Sequence, residues 1–281
     1  MKEIGKSLKW VIFWMGMALL FNLMIFWTQG TEKALEFLAG YLIELSLSVD
    51  NLFVFITIFT SFNLATHAQH KVLGYGIAGA IIMRFIFIFF GVKVVSTFEW
   101  VLYVFGAILI VNGLRMFKES GTHQDPHDSK IVKIVNKIIP VTEDFVEEKF
   151  FVRQNNKMLA TPLFVVLLLI EFSDILFAID SVPAVFSVST DLFIVYTSNI
   201  FAILGLRQLY FVLEHLHERF AYVKYGVATI LTFTGVKLGL GAFHFHIPTL
   251  LSICIIVGVL VISIISSMLI SAKKTKEELP E

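Results

Sequence analysis

Eight runs of about 20 predominantly apolar residues decide what this chain can be. They cover roughly residues 10–28, 36–60, 72–92, 98–117, 162–186, 192–213, 223–242 and 249–271. Each is long enough to cross the ~30 Å hydrocarbon core of a bilayer as a helix. In lipid every backbone amide needs a partner within its own segment or a closed barrel, so runs of this length predict an all-α polytopic membrane protein. About eight transmembrane helices are expected. Composition agrees, with 57% hydrophobic residues against 16% charged, 29 Phe and a mean hydropathy of +0.82. Lys+Arg and Asp+Glu stand at 22 each, and no nucleic-acid partner is expected. The single cysteine, Cys254, excludes a disulfide within the chain and a thiolate metal cluster, and reads as a small buried hydrophobe. Lys2, Lys6 and Lys9 ahead of the first run imitate a signal peptide, but no small-residue cleavage site follows, so this run is expected to stay as an anchor.

The chain reads as one membrane domain over residues 1–281, with flanking helices at about 10–28 and 249–271. Most linkers are short and polar, so neighbouring helices should run antiparallel. The exception is the charged loop of about 118–161. Within it, Lys130 to Ile139 alternates apolar and Lys faces, either as a helix lying on an anionic membrane surface or as an ordinary solvated helix. Basic residues set the orientation. With the N-terminus in the cytoplasm, that side collects Lys2, Lys6, Lys9, Lys71, Arg115, Lys118, Arg219, Lys224, Lys273, Lys274 and Lys276, and the other only Lys33, Lys93 and Lys237. Both termini are therefore expected in the cytoplasm, and the loop of 118–161 with them. The expected location is the inner (plasma) membrane.

Five carboxylates interrupt this apolar background: Glu44 and Asp50 in ELSLSVDN, and Glu171, Asp174 and Asp180 in EFSDILFAIDSVPA. An ionised Asp at the centre of a membrane helix costs about 2.5 to 3.5 kcal/mol on the mildest scale, so these acids mark a site. They also repeat. Asp50 laid on Asp180 pairs Glu44 with Asp174 and Asn51 with Ser181, and the next run of each half carries a mid-span arginine, Arg84 or Arg207. The third runs match as well, Tyr103–Phe117 against Val223–Gly239. Two copies of three helices, about 36–117 and 162–242, form an inverted repeat because an odd number of spans flips the second copy.

Five buried acids against two arginines leave three negative charges for protons or a cation to offset. The available ligands are hard oxygens: the acids, the Asn51 amide and the hydroxyls of Ser46, Ser48, Ser173 and Ser181. They suit magnesium, calcium or manganese rather than zinc or copper. The candidate metal-site residues are thus Glu44, Asp50, Asn51, Glu171, Asp174, Asp180 and Ser181, with Arg84 and Arg207 as counter-charges that each approach one of the acids. A spacing of six residues turns a helix by about 600°, setting the two acids of each motif about 120° apart. Either each helix presents two sides to a polar interior or it breaks between the acids. Pro183 favours a break near Asp180, or is simply a packing kink. Three histidine pairs (His123 and His127, His215 and His217, His244 and His246) fall in loops or at span ends and read as solvated side chains.

The two motifs, with FFVRQNNKMLATPL ahead of the second and TSNIFAILGLRQLYF after it, resemble the TerC family, and the similarity to its Alx-type members runs from about Lys33 to Ile270. Those members carry one more N-terminal helix than this sequence. The resemblance implies a membrane protein that exports manganese, with Glu44, Asp50, Asp174 and Asp180 matching the acids taken as the metal site. No cofactor is implied, since the cation is cargo. An alternative is a calcium transporter. Another is a membrane scaffold aiding insertion or metalation of other proteins, with the protein-export machinery as partner. An enzyme is not expected: intramembrane aspartyl proteases carry a Gly-x-Gly-Asp motif, whereas Asp180 follows Phe177, Ala178 and Ile179.

Overall fold

The structure is a computed structural model, and it describes residues 2–118, 140–154, 157–214, 222–241, 243, 245 and 247–277. The side chains of residues 2–4, 50, 118, 157 and 271–277 lie outside this description. So do the segment Lys130–Ile139, the three histidine pairs and Arg219.

The described residues form eight helices: α1 (Lys2–Gln29), α2 (Thr31–Ser61), α3 (Thr66–Thr97), α4 (Val101–Lys118), α5 (Pro162–Phe186), α6 (Leu192–Glu214), α7 (Val223–Gly241) and α8 (Thr249–Glu277). Each coincides with one apolar run. Six are long and apolar enough to cross a membrane; α4 contributes a shorter apolar stretch, Val101–Phe117, and α7 falls outside both groups. The chain is thus an integral membrane protein with several apolar helices. A feature absent from the sequence reading is a two-stranded antiparallel hairpin, β1 (Phe151–Gln154) with β2 (Lys157–Ala160), register Phe151 to Ala160. It leads into α5, whose first helical residue, Pro162, supplies a fixed φ where no N–H is needed.

Polarity is arranged inside out. Large apolar side chains such as Trp27, Ile82, Phe90, Leu176 and Leu269 are exposed, whereas Glu44, Ser48, Asn51, Arg84, Asp174, Ser181, Ser198 and Asn199 are buried. The apolar exterior follows from lipid as solvent; burying polar groups inside spares them contact with hydrocarbon.

Short links at residues 62–65 and 98–100 reverse the chain direction between α2, α3 and α4, as residues 187–191 do between α5 and α6. Helix ends therefore collect at a proximal end, with residues 62–65 and the hairpin, and a distal end, with residues 98–100 and 187–191. Gly76 and Gly91 of α3 face Ile170 and Phe186 of α5, so these helices are parallel. In α2 and α6, Gly40 faces Ser198 and Phe59 meets Tyr210 edge to face, so they too are parallel. It follows that α2 and α5 are antiparallel.

The α4–α7 contact is the most extensive between any two helices. It depends on glycine. A Cβ on Gly235 would sit 2.6 Å from the Gly106 carbonyl oxygen, and one on Gly106 2.8 Å from that of Gly235. At the distal end Lys33 bridges Glu36 (3.0 Å) and Asp191 (3.1 Å), and Ser189 donates to Glu36 at 2.6 Å, tying the start of α2 to the α5–α6 link. Asp191 also caps α6 by accepting from the N–H groups of Phe193 and Ile194.

Candidate functional site

Two polar groups occupy the interior, and Ser181 joins them. The first is centred on Arg84 of α3, a guanidinium only 1% exposed. Its Nη1 meets Glu44 Oε1 of α2 at 2.5 Å and donates to Ser181 Oγ of α5 at 2.9 Å and Asn199 Oδ1 of α6 at 2.8 Å. Its Nη2 lies 4.0 Å from Asp174 Oδ1. One cation thus fastens four helices. Ser48 donates to Glu44 Oε1 at 3.2 Å, and Asn199 is held by its own donation to the Val195 carbonyl at 2.9 Å. Glu44 Oε2 and Arg84 Nε remain buried with no hydrogen-bond partner among the described residues. A buried charge that lost its partner would cost several kcal/mol, so this group is held together by the penalty of separating it.

The second group surrounds a cavity of about 260 Å³ between α2, α4, α5 and α7. Asp180, Ser181, Asn51, Asn112 and Arg115 supply its polar wall, and Leu47, Phe177 and Val227 part of its apolar one. Asn112 of α4 donates to Asp180 Oδ1 at 2.6 Å. Asn51 is 3% exposed, and its Nδ2 has no partner among the described residues. The cavity reaches the surface on the proximal side, where Arg115 is exposed.

The α5 helix is continuous from Pro162 to Phe186 with Pro183 inside it. Of the two arrangements open from sequence, it takes the unbroken one. Asp174 faces Arg84 on one side and Asp180 faces the cavity on another, as the 120° offset requires. Glu171 takes a third direction, against α3, where a Cβ on Gly79 would overlap its carboxylate.

The arginines differ. Arg84 meets two of the acids, whereas Arg207 pairs with none of Glu44, Glu171, Asp174 and Asp180; its Nη2 lies 3.4 Å from His70 Nδ1 and its Nε is buried without a partner among the described residues. Arg207 and Asp174 do line one small cavity of about 20 Å³, enough for a single water. Among the described residues no three His, Cys, Asp or Glu side chains converge as a metal cluster. Glu44 and Asp174 sit around Arg84, while Asp180 stands with amides and hydroxyls. The Asp50 side chain lies outside the described set, though its backbone is in α2 one residue before Asn51.

Sequence reasoning missed Asn112, Asn199 and the place of Arg115 in the cavity. The signal existed for the amides, since Asn112 interrupts AILIVNG and Asn199 the apolar run of α6. A lone amide in an apolar helix carries less cost than a charge and stands out less.

Comparison with known proteins gives a match to the model of the integral membrane protein TerC family over residues 29–276. The chain is 44% identical to the "Uncharacterized membrane protein STKORF319" of Myxococcus xanthus, over 95% of this chain and 83% of that one. Two proteins named "Putative membrane-bound redox modulator Alx" are similarly related. That of Salmonella typhi is 44% identical over 95% of this chain and 85% of its own, and that of Escherichia coli K12 is 43% identical over 95% and 86%. No solved structure matches.

Proposed function

The chain belongs to the TerC family of integral membrane proteins, and from that premise we propose that it is a secondary transporter exporting a divalent metal cation, with Mn²⁺ as the favoured cargo. The observation that carries this reading is the cavity beside Asp180. It offers the Asp180 carboxylate, the amide oxygens of Asn51 and Asn112 and the Ser181 hydroxyl. Such oxygens suit a hard cation that keeps part of its water shell. Asp50, one residue from Asn51, completes the ligand set in at least one state of the cycle, and Glu44 and Asp174 gate it from opposite sides. Arg84 serves as the fixed counter-charge beside those two acids.

Helix packing supports the inverted repeat of α2–α4 and α5–α7. Exchange of the two copies turns the α2–α6 contact into α5–α3 and the α4–α5 contact into α7–α2, and all four exist. The α2–α5, α3–α6 and α4–α7 contacts map onto themselves. With eight spans and both termini cytoplasmic, the Asp180 cavity opens inward past Arg115, and the Gly106–Gly235 crossing closes α4 against α7 toward the other side. Rocking of one copy against the other would exchange those exposures.

The test is Mn²⁺ efflux from loaded vesicles. Asp180→Asn and Asp50→Asn each remove a full charge at nearly constant size and abolish efflux at normal membrane abundance, while Ser181→Ala costs much less. Parental efflux from both Asn variants would overturn the reading. Competition by Ca²⁺ separates the calcium alternative. Unchanged cellular manganese with and without the protein would favour the scaffold reading, with the export machinery as partner. The redox role in two relatives' names has no intrachain dithiol to act through here, since Cys254 is the sole cysteine and is exposed on α8.

A further inference from the structure

A second, larger cavity of about 440 Å³ lies at the distal end, between the α3–α4 link and the ends of α4, α5, α7 and α8. It shares α4, α5 and α7 with the Asp180 cavity but uses none of its residues. Two of its walls carry opposite charges that do not meet. Among the described residues Lys237 of α7, half-buried, makes no ion pair or hydrogen bond, and neither does the side chain of Glu99 in the α3–α4 link, so the two are more than 4.0 Å apart. Ser187, also in the wall, has its Oγ buried without a hydrogen-bond partner among the described residues. A cation and an acid that face one cavity without closing on each other are the complement of a ligand bearing both charges.

The depth of the cavity says which kind. Its polar wall lies at the helix ends and in the links, next to the exposed Trp100 and Tyr103, aromatics of the sort that mark the membrane interface. Leu102, Phe186 and Leu238 add apolar wall at the same level. Polar and apolar walls side by side at that level fit a lipid headgroup with its glycerol backbone beside it.

We infer that this distal cavity binds a zwitterion carrying a phosphate and a primary ammonium, as in an ethanolamine phospholipid headgroup. The phosphate accepts from Lys237 Nζ and Ser187 Oγ, and the ammonium donates to Glu99. A choline headgroup lacks the N–H donors for Glu99, and a glycerol headgroup lacks the cation altogether. The site is independent of the transport reading, because it uses none of the acids assigned to cargo.

Native mass spectrometry of the full chain in detergent tests it, with phosphatidylethanolamine, phosphatidylcholine and phosphatidylglycerol of identical acyl chains. The parent should retain the ethanolamine lipid about tenfold better than the other two, the worth of one charge-assisted hydrogen bond. Lys237→Met and Glu99→Gln should each erase that preference, while Lys93→Met, an exposed lysine at the same end, leaves it intact. Competition by soluble glycerophosphoethanolamine at equal concentration assigns the site to a free zwitterion, and lack of competition assigns it to the lipid. Equal retention of the three lipids by the parent overturns the inference. So does a preference that survives in both Lys237→Met and Glu99→Gln.

Discussion

Arg84 is the residue on which most of the interior depends. It serves Glu44, Asp174, Ser181 and Asn199 at once, a number of partners that a forked guanidinium can satisfy and an ammonium cannot. Arg84→Met would leave Glu44 and Asp174 buried without a cation, a loss of about 3 to 5 kcal/mol. Thermal unfolding in detergent should show it, with Arg84→Lys recovering only part of the difference. Asn112 is the residue that most directly shapes the cavity. Its Nδ2 donates to Asp180 and fixes that carboxylate in the cavity wall, so Asn112→Leu, of similar volume, should weaken Mn²⁺ efflux by about tenfold or more in apparent affinity and leave folding near normal. Unaltered efflux kinetics in that variant would remove Asn112 from the site. The positions of Arg84 and the acids were legible because a charge in an apolar run is costly and conspicuous. That Arg84 and not Arg207 holds the acids was not, since both arginines look alike from the sequence.

At the scale of the element, α4 and α7 give the sharpest case. Their backbones touch at Gly106 and Gly235, and Gly235→Ala drives a methyl against the Gly106 carbonyl and the Ile110 amide, backbone atoms that no rotamer change can move. Overpacking of this kind costs about 1 to 3 kcal/mol. Gly239→Ala on the same helix meets nothing within 4 Å and should be neutral or slightly stabilising, by up to about 1 kcal/mol from helix propensity. Comparison of the two melting temperatures checks the contact itself, not glycine content. The link between α2 and α6 has a pH signature. Burial tends to raise the pKa of Asp191, but hydrogen bonds from Lys33 and from the Ile194 and Phe193 N–H groups outweigh it and hold the carboxyl below its ordinary value. A folded pKa below the unfolded one contributes stability that is present above the ordinary aspartate range and is lost as pH falls through the folded value. Unfolding measured below about pH 4 should therefore lose this increment in the parent and not in Asp191→Asn. The hairpin β1–β2 escaped the sequence reading because strands of four residues carry too few positions to show an alternating pattern.

For the whole molecule, both ends of the chain should face the cytoplasm. Single cysteines placed near each terminus in a Cys254→Ser background should resist a membrane-impermeant thiol reagent in intact cells and react after lysis. Labelling of either terminus before lysis would reverse the orientation. The same reagent reports on the cavity. A cysteine at Met116, in the wall of the Asp180 cavity, should react from the cytoplasmic side in inverted vesicles, and bound Mn²⁺ should slow it.

The sequence by itself determined the helices and their polar positions. For runs of about 20 apolar residues lipid leaves the backbone a helix, so length and apolarity locate each element to within a few residues, and an acid or arginine near the middle of one is drawn toward protein. Tertiary structure alone decided the partners. Six residues of spacing turn Asp174 and Asp180 to different sides of α5, and what each side meets, Arg84 on α3 or the amides of α2 and α4, is settled by which helices pack there. Residues far apart in the chain make those contacts, and no local pattern along α5 records them.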